Sequence, residues 1–408
     1  MPFAKLTAFA GFRHISWVLA IVPLAIPAHA APHKPLADTA VLERLPLRAG
    51  DAGARELMVL RREMLAAPND PRPAAQLAQR YFDLAMARGD PRYVGYAEAV
   101  VARFQEPLAP DLRMIRGLLR QYRHDFAGAL DDLAAALKLD PHLAAAHAWR
   151  GAIYLVEANY VAAQHECDAL GRLGRDTLLG TCRGLVQAYG GELEAAYRTL
   201  QQALSGTRDA ANRLWLLTRL GEVAAWRGLA AQAERHYREA LALGRDDVYL
   251  LAAWSDFLLD MGRPADVLKE LAGWEVSDGL LLRLAEAEAT LRRPGAGRLA
   301  QLLEERFAAA RLRGDTTHRA EEARYRLRLR GEPQAALRLA AQNYAVQREP
   351  RDARILLEAA IAAGDAAAAQ PVRDWLRSSG FEDARLRRLG QESALVTRRE
   401  ASPAGAGR

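Results

Sequence analysis

Small residues return at a fixed interval along the middle of this chain, and no other feature constrains the fold as tightly. In a unit beginning at Pro110, Gly117 stands at position 8, Ala129 at 20, Leu133 at 24, Ala136 at 27 and Pro141 at 32. The unit from Ala144 has Gly151 at 8, Tyr154 at 11, Ala163 at 20 and Cys167 at 24. The unit from Thr177 has Gly184 at 8, Gly191 at 15, Ala196 at 20 and Leu200 at 24, and the unit from Leu214 repeats this with Gly221, Gly228, Ala233 and Tyr237. From Val248 the pattern thins to Trp254 at 7, Gly262 at 15 and Leu271 at 24. Two short amphipathic helices cannot bury their apolar stripes alone, so each hairpin must stack on the next. Small side chains at 8 and 20 let the two helices approach closely. The glycines at 15 fall where a first helix should stop.

These residues resemble the tetratricopeptide repeat family, whose unit is a 34-residue helix–turn–helix. The resemblance implies an all-α, right-handed superhelical solenoid with its core array over residues 110–281. Residues 71–109 read as an irregular first repeat: Leu77, Ala78 and Tyr81 fit, and an insertion around Asp90–Tyr93 delays the second helix. Residues 31–70 are expected to cap the array, 282–316 to be helical in an unplaced register, and 317–384 to form degenerate repeats. Residues 385–408 are expected to be a largely disordered tail.

Composition agrees with helices. The 408 residues are 50% hydrophobic but only 7% aromatic, and much of the apolar share is alanine and leucine, which lose least on entering a helix. Such a chain is neither all-β nor disordered. Residues 1–30 read as a secretory signal peptide: Lys5 and Arg13 precede the apolar run Ile15–Ile26, and Ala28-His29-Ala30 offers a small-x-small cleavage site. That run falls well short of the roughly twenty residues needed to span a membrane, and no later stretch is long and apolar enough. The mature chain is therefore expected to start at Ala31, in the periplasm. Arginines are dispersed and the net charge of +6 is mild, so no nucleic-acid footprint is evident.

The family's groove positions (2, 5, 9, 12 and 13) select candidate partner-binding residues here: Phe82, Tyr122, Tyr189, Trp215, Glu222, Trp226, Tyr249, Asp256 and Asp260. Aromatic anchors offer large contact area with few rotors to freeze, so the set suits an extended or helical peptide. The Ala144 unit contributes an apolar floor of Ala145, Ala148, Ala152, Leu155 and Val156. The Lys/Asn/Arg clamp that similar proteins close on a terminal carboxylate is absent from these positions. Cys167 and Cys182 fall on adjacent helices and read either as a disulfide or as two buried free thiols.

Enzyme signatures are missing. There is no phosphate loop, nucleophile elbow or His-Glu-x-x-His motif, and nothing calls for a cofactor or metal. Asp131-Asp132 and Asp246-Asp247 read as helix-terminus carboxylates, His142 and His147 as solvated, and Arg324, Arg326, Arg328 and Arg330 as a solvated helix surface. The sequence thus predicts a non-catalytic scaffold or adaptor that binds an envelope protein or peptide. Two alternatives stand beside it: an accessory to polysaccharide export, and an enzyme or regulatory subunit with a site in 282–316 or the irregular N-terminal unit.

Overall fold

The computed structural model describes residues 52–400, so the expected leader (1–30), the first part of the cap, and residues 401–408 lie outside the described residues. The described chain is all-α, with twenty helices and no strand. A lone helix, α1 (Ala52–Ala66), precedes α2 (Pro71–Arg88) and α3 (Arg92–Val101). The core array comprises α4 (Pro110–Tyr122) and α5 (Phe126–Leu139), α6 (Ala144–Val156) and α7 (Tyr160–Arg172), and α8 (Asp176–Tyr189) and α9 (Leu193–Ser205). It continues through α10 (Ala210–Trp226) and α11 (Ala230–Leu241), then α12 (Val248–Asp260) and α13 (Pro264–Glu270). Beyond it lie α14 (Asp278–Thr290), α15 (Gly295–Leu312), α16 (Arg319–Arg328) and α17 (Pro333–Tyr344). Last come α18 (Pro350–Ala363), α19 (Gln370–Ser379) and α20 (Ala384–Glu400).

Local chemistry sets these boundaries. Asp125, Asn159, Asp209 and Asp247 cap α5, α7, α10 and α12 by accepting from a backbone N–H three residues on, which satisfies a donor that the helix itself cannot. Each first helix ends on a left-handed residue: Gly191, Gly228, Gly262 and Gly331 adopt φ of 88°, 75°, 69° and 63°. The same turn is made by His124, Ala158 and Arg292, at φ 60°, 60° and 53°. Arg292 therefore places α14 and α15 in register as a further hairpin beginning at Asp278.

The hairpins close where the small residues lie. Ala129, Ala163, Ala196, Ala233 and Ala336 are fully buried. A Cβ on Gly117, Gly184 or Gly221 would meet Leu133, Leu200 or Tyr237 at 3.0, 2.7 and 2.7 Å, so in these three units position 8 receives the large side chain at position 24. Successive first helices also pack on one another from α4 to α18, whereas successive second helices do not pack to that extent. The first helices are the inner layer.

Three expectations need correction. No insertion separates α2 from α3, because the turn is as short as elsewhere and the additional residues lengthen α2 to 18 residues. The chain from 385 is not a disordered tail up to residue 400: Asp383 accepts from the Leu386 amide at 2.8 Å, and α20 follows, with Leu386 and Gly390 buried. Asp132 is not at a helix terminus. It is buried in mid-α5 and held by Arg116 at 2.5 Å and Arg120 at 2.8 Å.

Candidate functional site

The inner face of the array is covered by charge, and much of that charge comes from residues distant in sequence. Arg219 on α10 lies between two rings, 4.2 Å from the Trp215 centroid and 4.4 Å from that of Tyr249. It donates to Glu222 at 2.9 Å and also to the Tyr249 hydroxyl, which donates in turn to Glu222 at 2.7 Å. Burial disfavours the Arg219 cation, yet the surrounding phenols and carboxylates raise its pKa further above the usual value. Cation–π contact and charge-assisted hydrogen bonds thus fix Trp215, Glu222 and Tyr249 in one cluster.

One step along, Asp256 on α12 accepts from Arg283 at 2.5 Å and from Arg324 at 2.7 Å. Burial raises its pKa, but the two guanidinium groups outweigh that and hold the carboxyl well below the ordinary range. Arg324 also grips Glu286 through two bonds of 2.6 Å. The arginine run on α16 is therefore not a solvated surface. Arg324 and Arg328 point inward to Glu286 and Glu358, and Arg326 bridges Glu304, Glu322 and Glu332. Burying so much guanidinium is affordable only because each has carboxylate partners.

The end of the chain closes over this face. The Tyr189 hydroxyl donates to Glu349 at 3.3 Å, and Arg354 donates to Asp260 at 2.8 and 2.9 Å. Arg385 also pairs with Asp260. The Phe381 ring sits 5.3 Å from Trp226 and 6.5 Å from Tyr189. The amide of Arg348 donates to the Val156 carbonyl at 2.8 Å, so the linker before α18 crosses the apolar floor of the Ala144 unit.

Of the nine residues chosen from sequence, six line one cavity of about 380 Å³: Tyr189, Glu222, Trp226, Tyr249, Asp256 and Asp260. Arg351, Arg354, Arg385 and Arg388 complete its charged wall, while Ala252, Ala253 and Phe257 supply apolar floor. Trp215 lies behind the wall against Tyr249. Phe82 and Tyr122 belong elsewhere. Phe82 is only 1% exposed and packs edge-on to Trp149 at 5.7 Å, so it is core and presents nothing to a partner. Tyr122 is half-buried, and burial pushes its phenol up to about 12, with Asp315 and Asp278 adding to the shift. Tyr189, at 3% exposure, reaches the cavity with little of its surface. Sequence reasoning missed Arg219, Arg283, Arg324, Glu349, Arg351 and Phe381. The dense arginines on α16 were a visible signal, but their carboxylate partners lie tens of residues away.

Cys167 and Cys182 are joined in a disulfide between α7 and α8, with Cα atoms 5.5 Å apart. His147 is not solvated: its Nδ1 lies 2.6 Å from Glu166, which also accepts from Arg150 at 2.6 Å. Among the described residues no group of three or more His, Cys, Asp or Glu is placed to hold a metal ion. No helix among them is long and apolar enough to cross a membrane.

Paired helices, an inner layer of first helices, and left-handed turns at one recurring position decide the architecture. The fold is a tetratricopeptide-like helical repeat. Known structures share this repeat at low identity. A tetratricopeptide repeat protein from Parabacteroides merdae is 14% identical, with TM-score 0.39 over 62% of this chain and 91% of its own. The Cut9 and Hcn1 hetero-tetramer of the APC/C gives 14% identity and TM-score 0.40, over 75% of this chain and 52% of the other. Yeast Tom70 gives 15% and 0.36, over 82% and 62%. No family model matches the sequence, nor does any curated protein. The likeness extends to the tetratricopeptide-like fold alone.

Proposed function

We propose that this chain is a non-catalytic scaffold of the cell envelope that holds a protein or peptide segment on the inner face of its repeat array. The observation that carries this reading is the 380 Å³ cavity, where the first helices of four hairpins and residues 349–388 bring apolar floor and both signs of charge together. A peptide offers what such a site recognises: backbone polar groups for the charged wall and a side chain for the floor. A protein partner is favoured over a glycan because the ring faces of Trp215 and Tyr249 already carry the Arg219 guanidinium, with Arg351 also over Tyr249. A flat sugar face would find them occupied. In residues 282–316, the expected alternative place for an active site, Arg283 alone reaches the cavity.

The envelope location rests on the leader-like residues 1–30 and is supported by the Cys167–Cys182 bond, since disulfides persist in oxidising compartments. Two measurements test the reading. A photo-crosslinking side chain at Met261, on the cavity rim, should join a defined envelope protein, while one at the exposed Leu139 should not. Equal capture from both positions refutes the site. The mature N-terminus should be Ala31 in the envelope fraction, and an intact Met1 in the cytosol refutes the location.

A further inference from the structure

The last described residues leave the register of the array. In every earlier hairpin a first helix packs on the helix that follows it, but of the helices after it α18 packs chiefly on α20, with α19 making little contact with either. Helix α19 buries only Val372 and Trp375. From there the chain lies over the turns of four successive hairpins. The Trp375 indole donates to the Tyr160 hydroxyl at 2.7 Å, at the start of α7. Phe381 is fully buried between Trp375, Trp226 and Tyr189, with centroids at 5.2, 5.3 and 6.5 Å. The Glu382 carboxylate accepts from the Leu193 amide at 3.1 Å, in the first turn of α9. The Gly380 carbonyl presses so close to Gly191 that a Cβ there would meet it at 2.7 Å. Arg385 closes the line on Asp260, at the end of α12.

This is how a short peptide sits on a protein: aromatic anchors in a pocket, a carboxylate on a free helix amide, and a charged rim. The turn that presents Phe381 is held by its own segment, since Ser379 accepts from the Phe381 amide at 3.2 Å and Arg387 donates to the Phe381 carbonyl at 3.0 Å. The residues that receive Trp375, Phe381, Glu382 and Arg385, by contrast, lie on α7–α12, and α18 adds a flank along α20. We propose that residues 370–394 are a tethered peptide ligand of the array, and that the surface beneath them docks a partner segment in which an aromatic residue is followed by an acidic one. The segment occupies the seat in cis and yields it to a partner of the same chemistry. The tether gives it an effective concentration in the millimolar range, so the free chain stays closed until a tighter competitor arrives. This proposal rests on the protein-binding reading above and names the partner's motif and its regulation.

A labelled peptide of residues 370–394 tests it with the full-length chain. Binding to wild type should be weak, and the double variant Trp375→Ala, Phe381→Ala should bind the peptide at least ten-fold more tightly. Adding Trp226→Ala to that variant should abolish the gain, as should Phe381→Ala in the peptide. A vacated variant that keeps wild-type helicity yet binds no better than wild type overturns the proposal. A second arm does not depend on that variant folding. A protease site inserted after Gly364 in the full-length chain is cut under native conditions, and excess unlabelled peptide should release the C-terminal fragment. A fragment that cannot be exchanged shows a permanent part of the core and also overturns it. Neither arm uses the envelope partner. Capture at Met261 that is indifferent to vacating the seat would defeat the tethered ligand and leave the scaffold reading standing.

Discussion

Glycine at position 8 does different amounts of work in different repeats, and the side chain facing it decides how much. At Gly221 a methyl group would lie 2.7 Å from the Tyr237 ring, whereas at Gly151 it would meet Cys182 and Glu166 at 3.4 and 3.6 Å, ordinary contact distances. Gly221→Ala should cost about 2 kcal/mol, because a buried ring cannot step aside without moving its neighbours. Gly151→Ala should cost less than about 1 kcal/mol. Urea unfolding of the two variants side by side checks the contrast. The inner charges predict a pH response with two signs. Asp256 is held below the ordinary carboxyl range, so its contribution is present above the unfolded pKa and is lost as pH falls through the lower folded value. Asp256→Asn leaves Arg283 without its carboxylate and should cost about 3 kcal/mol at neutral pH, with a smaller penalty in acid. Asp352 behaves oppositely. Burial pushes it up to about 7, while it accepts from the Glu349 amide at 3.1 Å and from Asn343 at 2.8 Å. Between the ordinary carboxyl range and neutrality the folded chain keeps a proton that the unfolded chain has released. Stability therefore falls as pH rises across that window, by at most about 1.4 kcal/mol per pH unit. Asp352→Asn should remove this slope, as unfolding midpoints at about pH 5.5 and about pH 7.5 would show.

Hairpins are the elements whose reading from sequence went furthest. Position 15 turns left-handed at Gly191, Gly228 and Gly262, the glycines that spacing places there, and again at Gly331. The turns at His124, Ala158 and Arg292 carry no glycine, and this is why the hairpin α14–α15 had no legible register. Helix α2 misled for a related reason, since residues added inside a helix look like an inserted loop when only the repeat spacing is counted. Helix α20 was overlooked because its arginine-rich sequence resembles a solvated tail, and its apolar contacts at Leu386 and Leu389 are made with distant residues. The disulfide joins consecutive helices across a sequence separation of 15. Replacing both cysteines by serine should cost about 3 kcal/mol in a loop of this length. Reduction of the wild type should lower its unfolding midpoint to that of the double variant.

Over residues 52–400 as a whole, the contacts that matter most are those a one-dimensional repeat would lack. An open array unfolds as a sum of local units and nearest-neighbour interfaces. Here α2 meets α12, where a Cβ at Gly89 would touch Ser277 and Val248 and where Arg88 faces Asp246 at 3.8 Å. Tyr189 reaches Glu349 and Trp375 reaches Tyr160, across 160 and 215 residues of sequence. These closures couple early repeats to late ones. Unfolding should therefore be a single transition seen at the same denaturant concentration by tryptophan fluorescence and by far-UV circular dichroism. Weakening the closure with Glu349→Ala should separate the two signals, and coincident curves in that variant would count against the coupling.

The repeat, the helix pairs and the faces along which they meet are all written in local residue order, because each follows from side-chain size at short, fixed separations. That order also picked out six residues of the cavity, since position within a repeat fixes which way a side chain points. What those residues face follows from the coiling of the folded array. The partners of Asp256, Asp260, Tyr189 and Trp226 come from α14 to α20, and no local spacing encodes how far the array must coil before its end returns to its own inner surface.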